Sequence, residues 1–297
     1  MTGMGGCATA IVTPFQDDGS LDLPALRALV HWQIDEGINY LVACGSTGEA
    51  QTMSPEEREV VVATVVEAAA GRVPVMAGAT DNDTRRAVEE TRRMCALGVH
   101  FILSAGPYYN KPTQEGLFRH FTAVAEASTV PVCLYNVPGR SAVNLLPETV
   151  LRLAPHPNIA GIKEASGSVE QAMRIIQGRP EGFLVLSGED ALTVALMSVR
   201  GDGLISVTAN EVPGLMSWMT GAMLDNKWGE AQHILYRLLP LIEANFIETN
   251  PAPVKAALAA MGKIRNNLRL PLVPLSESKL PVLLAALHRA GVQVEAA

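Results

Sequence analysis

The sequence has few of the features that mark nucleic-acid-binding, secreted or membrane-spanning proteins. Aromatic residues make up only 5% of its 297 residues, and its formal net charge is −7. A nucleic-acid partner favours a basic face and stacking aromatic side chains instead. No Lys or Arg precedes Arg27, and no apolar run approaches the roughly 18 residues of a membrane-spanning helix. We therefore expect no nucleic-acid partner, no membrane association and a cytoplasmic location.

The sequence also lacks the spacings of common metal and nucleophile motifs. No two cysteines form a CxxC pair, and the six histidines show neither HxH nor HExxH spacing. The GxSxG turn of serine hydrolases and the glycine-rich phosphate loops are missing as well. These absences predict no metal centre and favour reduced, buried thiols, which fit the cytosol. The cysteines are Cys7, Cys44, Cys95 and Cys133.

Short apolar runs that alternate with longer helical patterns dominate the first two thirds of the chain. Runs that are apolar at successive positions are typical of parallel strands buried on both faces. The eight runs are Cys7–Val12, Tyr40–Cys44, Val73–Ala77, Val99–Leu103, Pro131–Tyr135, Ile159–Lys163, Phe183–Leu186 and Gly203–Val207. Their starts lie 20 to 33 residues apart, which leaves room for one helix and two loops each time. Eight such units predict an α/β protein with a (β/α)₈ TIM barrel.

The remaining residues predict a helical extension after the barrel. We divide the chain into a barrel at 1–211 and a C-terminal helical region at 212–297, which we expect to pack against the barrel or another subunit. Within the barrel, Ser54 followed by proline and two glutamates predicts a helix start. The helices predicted for the extension are Gly214–Leu224, Trp228–Glu243, Pro253–Met261 and Lys279–Ala290.

Lys163 is the most informative candidate residue. Catalytic groups of a TIM barrel come from the C-terminal ends of its strands and the loops that follow. Lys163 is one of six lysines and ends the apolar run of the sixth predicted strand. An amine held in a low-dielectric barrel mouth loses hydration, so the neutral nucleophile needed for a Schiff base becomes accessible. The position alone also fits a lysine whose stem packs at the strand end while its head reaches water.

Other polar residues follow neighbouring strands. The turn 45–48 (Gly-Ser-Thr-Gly) offers backbone N–H groups and two hydroxyls that can hold a carboxylate, although a plain strand-to-helix turn has the same composition. Tyr135 ends the fifth strand, where its phenol is either a proton carrier or a core residue. Arg140 on the next turn can clamp a carboxylate or lie in solvent. Tyr108 and Tyr109 suit either a lid or a hydrophobic plug.

Together, the motifs at these strand ends resemble one known family. They are GSTGE at 45–49, PYYNKP at 107–112, YNVPGR at 135–140, GIKEASG at 161–167, LSGED at 186–190 and ISVTAN at 205–210. This set is similar to that of the dihydrodipicolinate synthase family, within the superfamily of pyruvate-dependent class I aldolases and N-acetylneuraminate lyases. The likeness extends from roughly residue 8 to residue 290 and includes NPAPVK at 250–255.

The resemblance implies a lyase that needs no cofactor and acts in lysine and diaminopimelate biosynthesis. In this family a Schiff base forms between pyruvate and a lysine, and the resulting enamine attacks aspartate 4-semialdehyde. The matching positions imply that Lys163 forms the Schiff base and that Ser46 and Thr47 hold the pyruvate carboxylate. Arg140 would bind the carboxylate of the semialdehyde.

The resemblance also implies a proton relay and an oligomer. Tyr135 would move protons through hydrogen bonds to Thr47 and to Tyr109, which in the family reaches in from a neighbouring subunit. The backbone carbonyls of Gly188 and Ile205 would line the pocket. Relatives are commonly homotetramers built as dimers of dimers, so we expect a homotetramer that shares Tyr109 across the dimer interface.

Two departures from the family pattern affect specificity and regulation. The second residue of GSTGE is a serine where the family usually has threonine, a spelling also typical of N-acetylneuraminate lyases. Another pyruvate-dependent aldolase, acting on N-acetylneuraminate or 2-keto-3-deoxy sugar acids, therefore stays the alternative, although Arg140 suits a short acidic aldehyde better. Pro55 and Arg86 stand where lysine-inhibited relatives have histidine and glutamate. These replacements predict weak or absent inhibition by lysine.

A barrel without catalysis, used for ligand sensing, is a hypothesis of a different class. The presence of Lys163, Thr47, Tyr135 and Tyr109 argues against it. The sequence thus predicts an enzyme.

Overall fold

A computed structural model describes residues 3–294, and its strands form one closed parallel barrel. Each strand pairs with the next in chain order, and the first pairs with the eighth. The strands are β1 (Gly6–Ala10), β2 (Tyr40–Ala43), β3 (Val75–Gly78), β4 (Phe101–Ala105), β5 (Val132–Asn136), β6 (Ile159–Glu164), β7 (Leu184–Ser187) and β8 (Gly203–Ser206). The predicted TIM barrel is confirmed, and each strand end lies within two residues of its predicted place.

Alternation of side chains along each strand divides the barrel into two cores. In β2, Tyr40 and Val42 belong to a cluster inside the barrel, whereas Leu41 and Ala43 join the larger cluster under the helices. Successive side chains of a strand point to opposite faces, and this explains the division. Both faces of each strand are apolar, because the barrel interior buries one face and the helices cover the other. The interior is therefore filled with side chains, and open space remains at the strand ends.

One helix start has a clear local cause in the sequence. The prediction at Ser54 is confirmed: its hydroxyl accepts from the N–H of Glu57, whose carboxylate accepts from the Ser54 N–H. In chain order the first helices are α1 (Leu23–Asp35), α2 (Pro55–Ala69), α3 (Thr84–Cys95), α4 (Gln114–Ala127), α5 (Pro138–Ser141), α6 (Pro147–Leu153), α7 (Val169–Gly178), α8 (Thr193–Ser198) and α9 (Pro213–Leu224).

Three more helices follow, α10 (Trp228–Ala244), α11 (Ala252–Ala260) and α12 (Leu280–Ala290). The four helices predicted after β8 are present, as α9 to α12, with ends within one residue of prediction. α9 packs against β1, and α10 packs against α9 and α12. The division at residue 211 stays a proposal. Within residues 3–294 no helix is both long and apolar enough to cross a membrane.

Candidate active site

Lys163 and Tyr135 lie side by side at the mouth of the barrel. They are register partners on β6 and β5, and their alternation along these strands turns both toward the barrel interior. The Lys163 Nζ lies 4.3 Å from the centroid of the Tyr135 ring, within the range of a cation–π contact. Lys163 is only 5% exposed. The Lys163 side chain is therefore buried at the strand end, and its role as a Schiff-base nucleophile stays a prediction.

A small cavity of about 50 Å³ brings most of the predicted site residues together. It is lined by Lys163, Tyr135, Ser46, Thr47, Arg140 and Gly188, among others. A neighbouring cavity of about 280 Å³ shares three of these residues and extends to Tyr108. The mouth thus places an amine, a phenol, two hydroxyls and a guanidinium around one space.

Two predicted residues line neither cavity. The Ile205 side chain is fully buried in the inner core of the barrel, and Val207, two residues further on, lines the smaller cavity. Tyr109 is 87% exposed, with a backbone φ of 74°. Tyr109 therefore does not complete the site of its own chain.

The Thr47 hydroxyl has a different partner from the one expected. Asn250 donates from Nδ2 to Thr47 Oγ1 at 2.9 Å, and both residues are buried. Within the described chain no hydrogen bond joins Tyr135 to Thr47. The Asn250 amide thus holds the Thr47 hydroxyl at the cavity, and the bond between Thr47 and Tyr135 stays a prediction. Ser46, which is exposed, lines both cavities together with Tyr135.

Asn250 also contacts the predicted carboxylate clamp. Arg140 donates from Nη2 to the backbone oxygen of Asn250 at 3.3 Å. The Asn250 side chain lines the cavity, and its Oδ1 is buried without a partner among residues 3–294. One residue between α10 and α11 therefore connects the predicted pyruvate turn with the predicted semialdehyde clamp.

A buried ion pair holds the base of the turn 45–49. Lys255 on α11 donates to the Glu49 carboxylate and to the backbone oxygen of Asn267 at 2.8 Å, and both charged side chains are fully buried. Burial lowers the pKa of Lys255 to about 8, and the Glu49 carboxylate opposes this shift. The ion pair with Glu49 thus favours the charged form of Lys255. Its ammonium also lies 4.2 Å from the centroid of the Phe15 ring.

Gly188 gives Lys163 the room it needs. A Cβ at Gly188 would lie 2.9 Å from Lys163 Cε and 2.7 Å from Ala165 Cβ, both too close. The next residue, Glu189, also lines the cavity. Burial and the Asp190 carboxylate raise the pKa of Glu189, while Lys163 and Arg140 oppose this rise.

Sequence reasoning missed Asn250, the Lys255–Glu49 pair and Glu189. Lys255 carried a usable signal, because it is a lone charge within the apolar helix 252–260. The motifs NPAPVK at 250–255 and LSGED at 186–190 contain Asn250 and Glu189, but neither motif by itself indicates what these two side chains contact. Among residues 3–294 no group of three or more His, Cys, Asp or Glu side chains could hold a metal ion.

The two positions linked to lysine inhibition lie on neighbouring helices. Pro55 is the first residue of α2, and Arg86 lies exposed in the first turn of α3. An apolar ring and a cation therefore occupy these places, and no acidic or imidazole group does. The expected weak response to lysine stays a prediction.

The chain matches the dihydrodipicolinate synthetase family over residues 3–290. It is 52% identical over 288 residues to a curated 4-hydroxy-tetrahydrodipicolinate synthase of Koribacter versatilis, covering 97% of this chain and 96% of the relative. A solved structure of the chloride-inhibited dihydrodipicolinate synthase of Acinetobacter baumannii, complexed with pyruvate, superposes with a TM-score of 0.96 at 43% identity, covering 98% and 100% of the two chains. The dihydrodipicolinate synthase of Cyanidioschyzon merolae with lysine bound superposes with a TM-score of 0.96 at 37% identity, covering 99% and 100%.

Proposed function

The chain belongs to the dihydrodipicolinate synthetase family, and from this premise we propose how its barrel mouth performs the family reaction. Its function is that of a 4-hydroxy-tetrahydrodipicolinate synthase, a lyase of lysine biosynthesis that condenses pyruvate with aspartate 4-semialdehyde. The observation that carries the residue assignment is the buried amine of Lys163, in one cavity with Tyr135 and Arg140.

Pyruvate binds first, with its carboxylate on the turn 45–48. Backbone N–H groups and the hydroxyls of Ser46 and Thr47 are the donors available there. Thr47 Oγ1 already accepts a hydrogen bond from Asn250, so the Thr47 hydroxyl can donate its own hydrogen bond to the carboxylate. The neutral amine of Lys163 then attacks the ketone carbon, and water leaves to give the Schiff base.

Tyr135 moves the protons of the next steps. Its ring contacts Lys163, so its phenol belongs to the same space as the new imine. Removal of a methyl proton converts the Schiff base into an enamine, the carbon nucleophile. A positioned proton carrier contributes about 10²–10⁴-fold to such a step. Tyr109 of a second copy supplies the further hydroxyl of the relay, because Tyr109 of the same chain is exposed.

Arg140 binds the carboxylate of aspartate 4-semialdehyde. Its guanidinium lines the cavity and is oriented by the backbone oxygen of Asn250. A bidentate arginine–carboxylate contact fixes both the position and the direction of a short acidic aldehyde. The enamine carbon attacks the aldehyde, and cyclisation releases Lys163.

The assembly, location and regulation proposed here follow from the same residues. A shared Tyr109 requires at least a dimer, and we expect a homotetramer built from two dimers. The described cysteines are all free, which supports a cytoplasmic location. No cofactor is needed, because the lysine itself activates pyruvate.

Pro55 and Arg86 support weak or absent lysine inhibition, and half-inhibition at sub-millimolar lysine would contradict this.

Two assays test the function. Borohydride reduction with pyruvate should add one covalent adduct to Lys163, and the absence of a mass increase would favour a barrel without catalysis. Purified enzyme should turn over pyruvate with aspartate 4-semialdehyde in preference to N-acetylneuraminate or 2-keto-3-deoxy sugar acids. No turnover of the semialdehyde by enzyme that is trapped on pyruvate would favour the alternative aldolase.

A further inference from the structure

Glu189 is the single acidic residue that lines the cavity of Lys163, within the described part of the chain. It follows Gly188, whose backbone packs against the Lys163 side chain. Its backbone is held in place: the Ser187 hydroxyl accepts from the Glu189 N–H at 3.2 Å and donates to the Glu189 oxygen at 2.8 Å. Its carboxylate makes no hydrogen bond or ion pair with any residue from 3 to 294.

The two neighbouring acidic residues, in contrast, are hydrogen-bonded to the scaffold, although Oδ1 of Asp190 is buried without a partner among residues 3–294. Asp190 accepts from the backbone N–H of Val207 and from the N–H and hydroxyl of Thr208, at 2.9 to 3.1 Å. Glu164 on β6 is buried and accepts from Asn136, Ser166 and Gln171. Neither lines the cavity. Among residues 3–294, Glu189 is therefore the one carboxylate that lines this cavity, and it has no hydrogen-bond partner there.

The charges around Glu189 are of both signs. Lys163 and Arg140 face it from β6 and from the turn after β5, and Asp190 and Glu164 are the nearby anions. Partial burial raises the pKa of Glu189, which makes its carboxylate a better proton acceptor than an exposed one. An unpaired, partly desolvated carboxylate of this kind suits a cationic ligand group.

Aspartate 4-semialdehyde carries such a group. Its α-carbon bears a carboxylate and an ammonium, and Arg140 provides a partner only for the carboxylate. We propose that Glu189 is a specificity-determining residue that binds the α-ammonium group of the semialdehyde and accepts its proton before ring closure. This inference rests on the proposed function, since it concerns the second substrate of the same site.

In the proposed ring closure, Glu189 moves one proton from the substrate ammonium to Lys163. The ammonium gives one proton to the Glu189 carboxylate, which leaves a neutral amine with a free electron pair. The amine nitrogen attacks the carbon that is bonded to Lys163 Nζ, and a new carbon–nitrogen bond forms. The π electron pair of the Schiff base moves to Nζ, which takes up the proton from Glu189 and then leaves with the electron pair of its remaining bond to this carbon. The ring nitrogen gives its two remaining protons to water and forms the C=N bond of the product, so Lys163 and Glu189 return to their starting states.

The test compares the substrate with the same molecule without its amino group. Glu189→Gln keeps the shape of the side chain and removes the charge. We expect the KM for aspartate 4-semialdehyde to rise about 10- to 100-fold, the range expected for losing a hydrogen bond to a charged group. The KM for pyruvate, borohydride trapping on Lys163 and inhibition by succinate semialdehyde should stay within about twofold of the parent enzyme. Glu189→Asp, which keeps the charge, should retain more activity than Glu189→Gln.

Glu181→Gln is the matched control, because Glu181 is exposed and lies before β7. It should leave all of these constants unchanged. Equal weakening of aspartate and succinate semialdehydes in Glu189→Gln would overturn the inference and make Glu189 a shape-determining residue only. Unchanged kinetics would also overturn it. A parent enzyme that traps pyruvate but ignores the semialdehyde would instead refute the proposed function.

Discussion

The two sides of the barrel mouth are built in opposite ways. One, here called the closed side, consists of the turn 45–49 and the segment 250–269 that covers it. The other, the open side, is the loop 107–112 after β4. Buried contacts join the two parts of the closed side, namely Asn250 with Thr47 and Lys255 with Glu49. On the open side Tyr109 is 87% exposed, and Tyr108 donates one exposed hydrogen bond to Gln51 at 3.3 Å.

The difference shows which part of the site the chain completes by itself. The closed side pairs its buried charges internally, as the low dielectric of the interior requires. The open side presents an aromatic residue to solvent on a backbone with positive φ at Tyr109 and Lys111. Such conformations are uncommon for residues other than glycine and concentrate at functional loops. This contrast supports the proposal that a second copy receives Tyr109.

The largest expected effect is on the closed side. Lys255→Met leaves the Glu49 carboxylate buried without its partner, so we expect a loss of about 3–5 kcal/mol in the free energy of unfolding. Chemical denaturation measures it. Lys227→Met is the control, because Lys227 and its partner Asp225 are both more than half exposed, and it should change stability by about 0.5 kcal/mol or less. Equal denaturation midpoints for Lys255→Met and Lys227→Met would show that the buried ion pair does not stabilise the closed side.

The open side should respond in activity and not in stability. Tyr109→Phe removes a hydroxyl of the relay, so kcat should fall about 100-fold or more while the free energy of unfolding stays unchanged. Mixing inactive Lys163→Ala protein with Tyr109→Phe protein should restore activity, since a mixed dimer contains one complete site. Tyr236→Phe, at another exposed tyrosine, should retain full activity. Failure of the mixture to recover would mean that Tyr109 acts within its own chain or not at all.

A smaller effect is expected at the contact between the two chain segments of the closed side. Asn250→Ala removes the hydrogen bond to Thr47, which is worth about 0.5–1.5 kcal/mol. The KM for pyruvate should therefore rise about threefold to tenfold, as measured by steady-state kinetics. Asn110→Ala provides the comparison on the open side, where the Asn110 amide binds only the backbone oxygen of Asn82. A similar rise in both variants would show that the contact with Thr47 is not the cause.

The smallest effect concerns the pH dependence of stability. Hydrogen bonds from Arg269 lower the pKa of Glu57 to about 2 from its usual 4.5. A carboxyl with a lowered folded-state pKa stabilises the fold above pH 4.5, and this contribution is lost as the pH falls toward 2. Solvent screening keeps it below about 1 kcal/mol. Unfolding between pH 6 and 3 should show a shallower acid decline for Glu57→Gln than for the parent, whereas Glu126→Gln on α4 should match the parent.

The sequence by itself determined the barrel and the place of Lys163 at the end of its sixth strand. Burial on both faces of a parallel strand produces apolar runs, and these are visible in eight short segments. The same apolar runs put Tyr135 and Lys163 at strand ends, and the resemblance of the strand-end motifs to one family then implied a Schiff base on Lys163. These properties depend on neighbours within about ten residues, so local patterns carry them.

Only the tertiary structure decided which groups hold the other residues of the barrel mouth. Asn250 lies 203 residues from Thr47 along the chain, and Lys255 lies 206 residues from Glu49. No local pattern specifies such pairs, because they form only when the barrel closes and the C-terminal segment covers its mouth. The exposure of Tyr109, the burial of Ile205 and the unpaired carboxylate of Glu189 were decided in the same way. Each depends on which surfaces the folded chain removes from water.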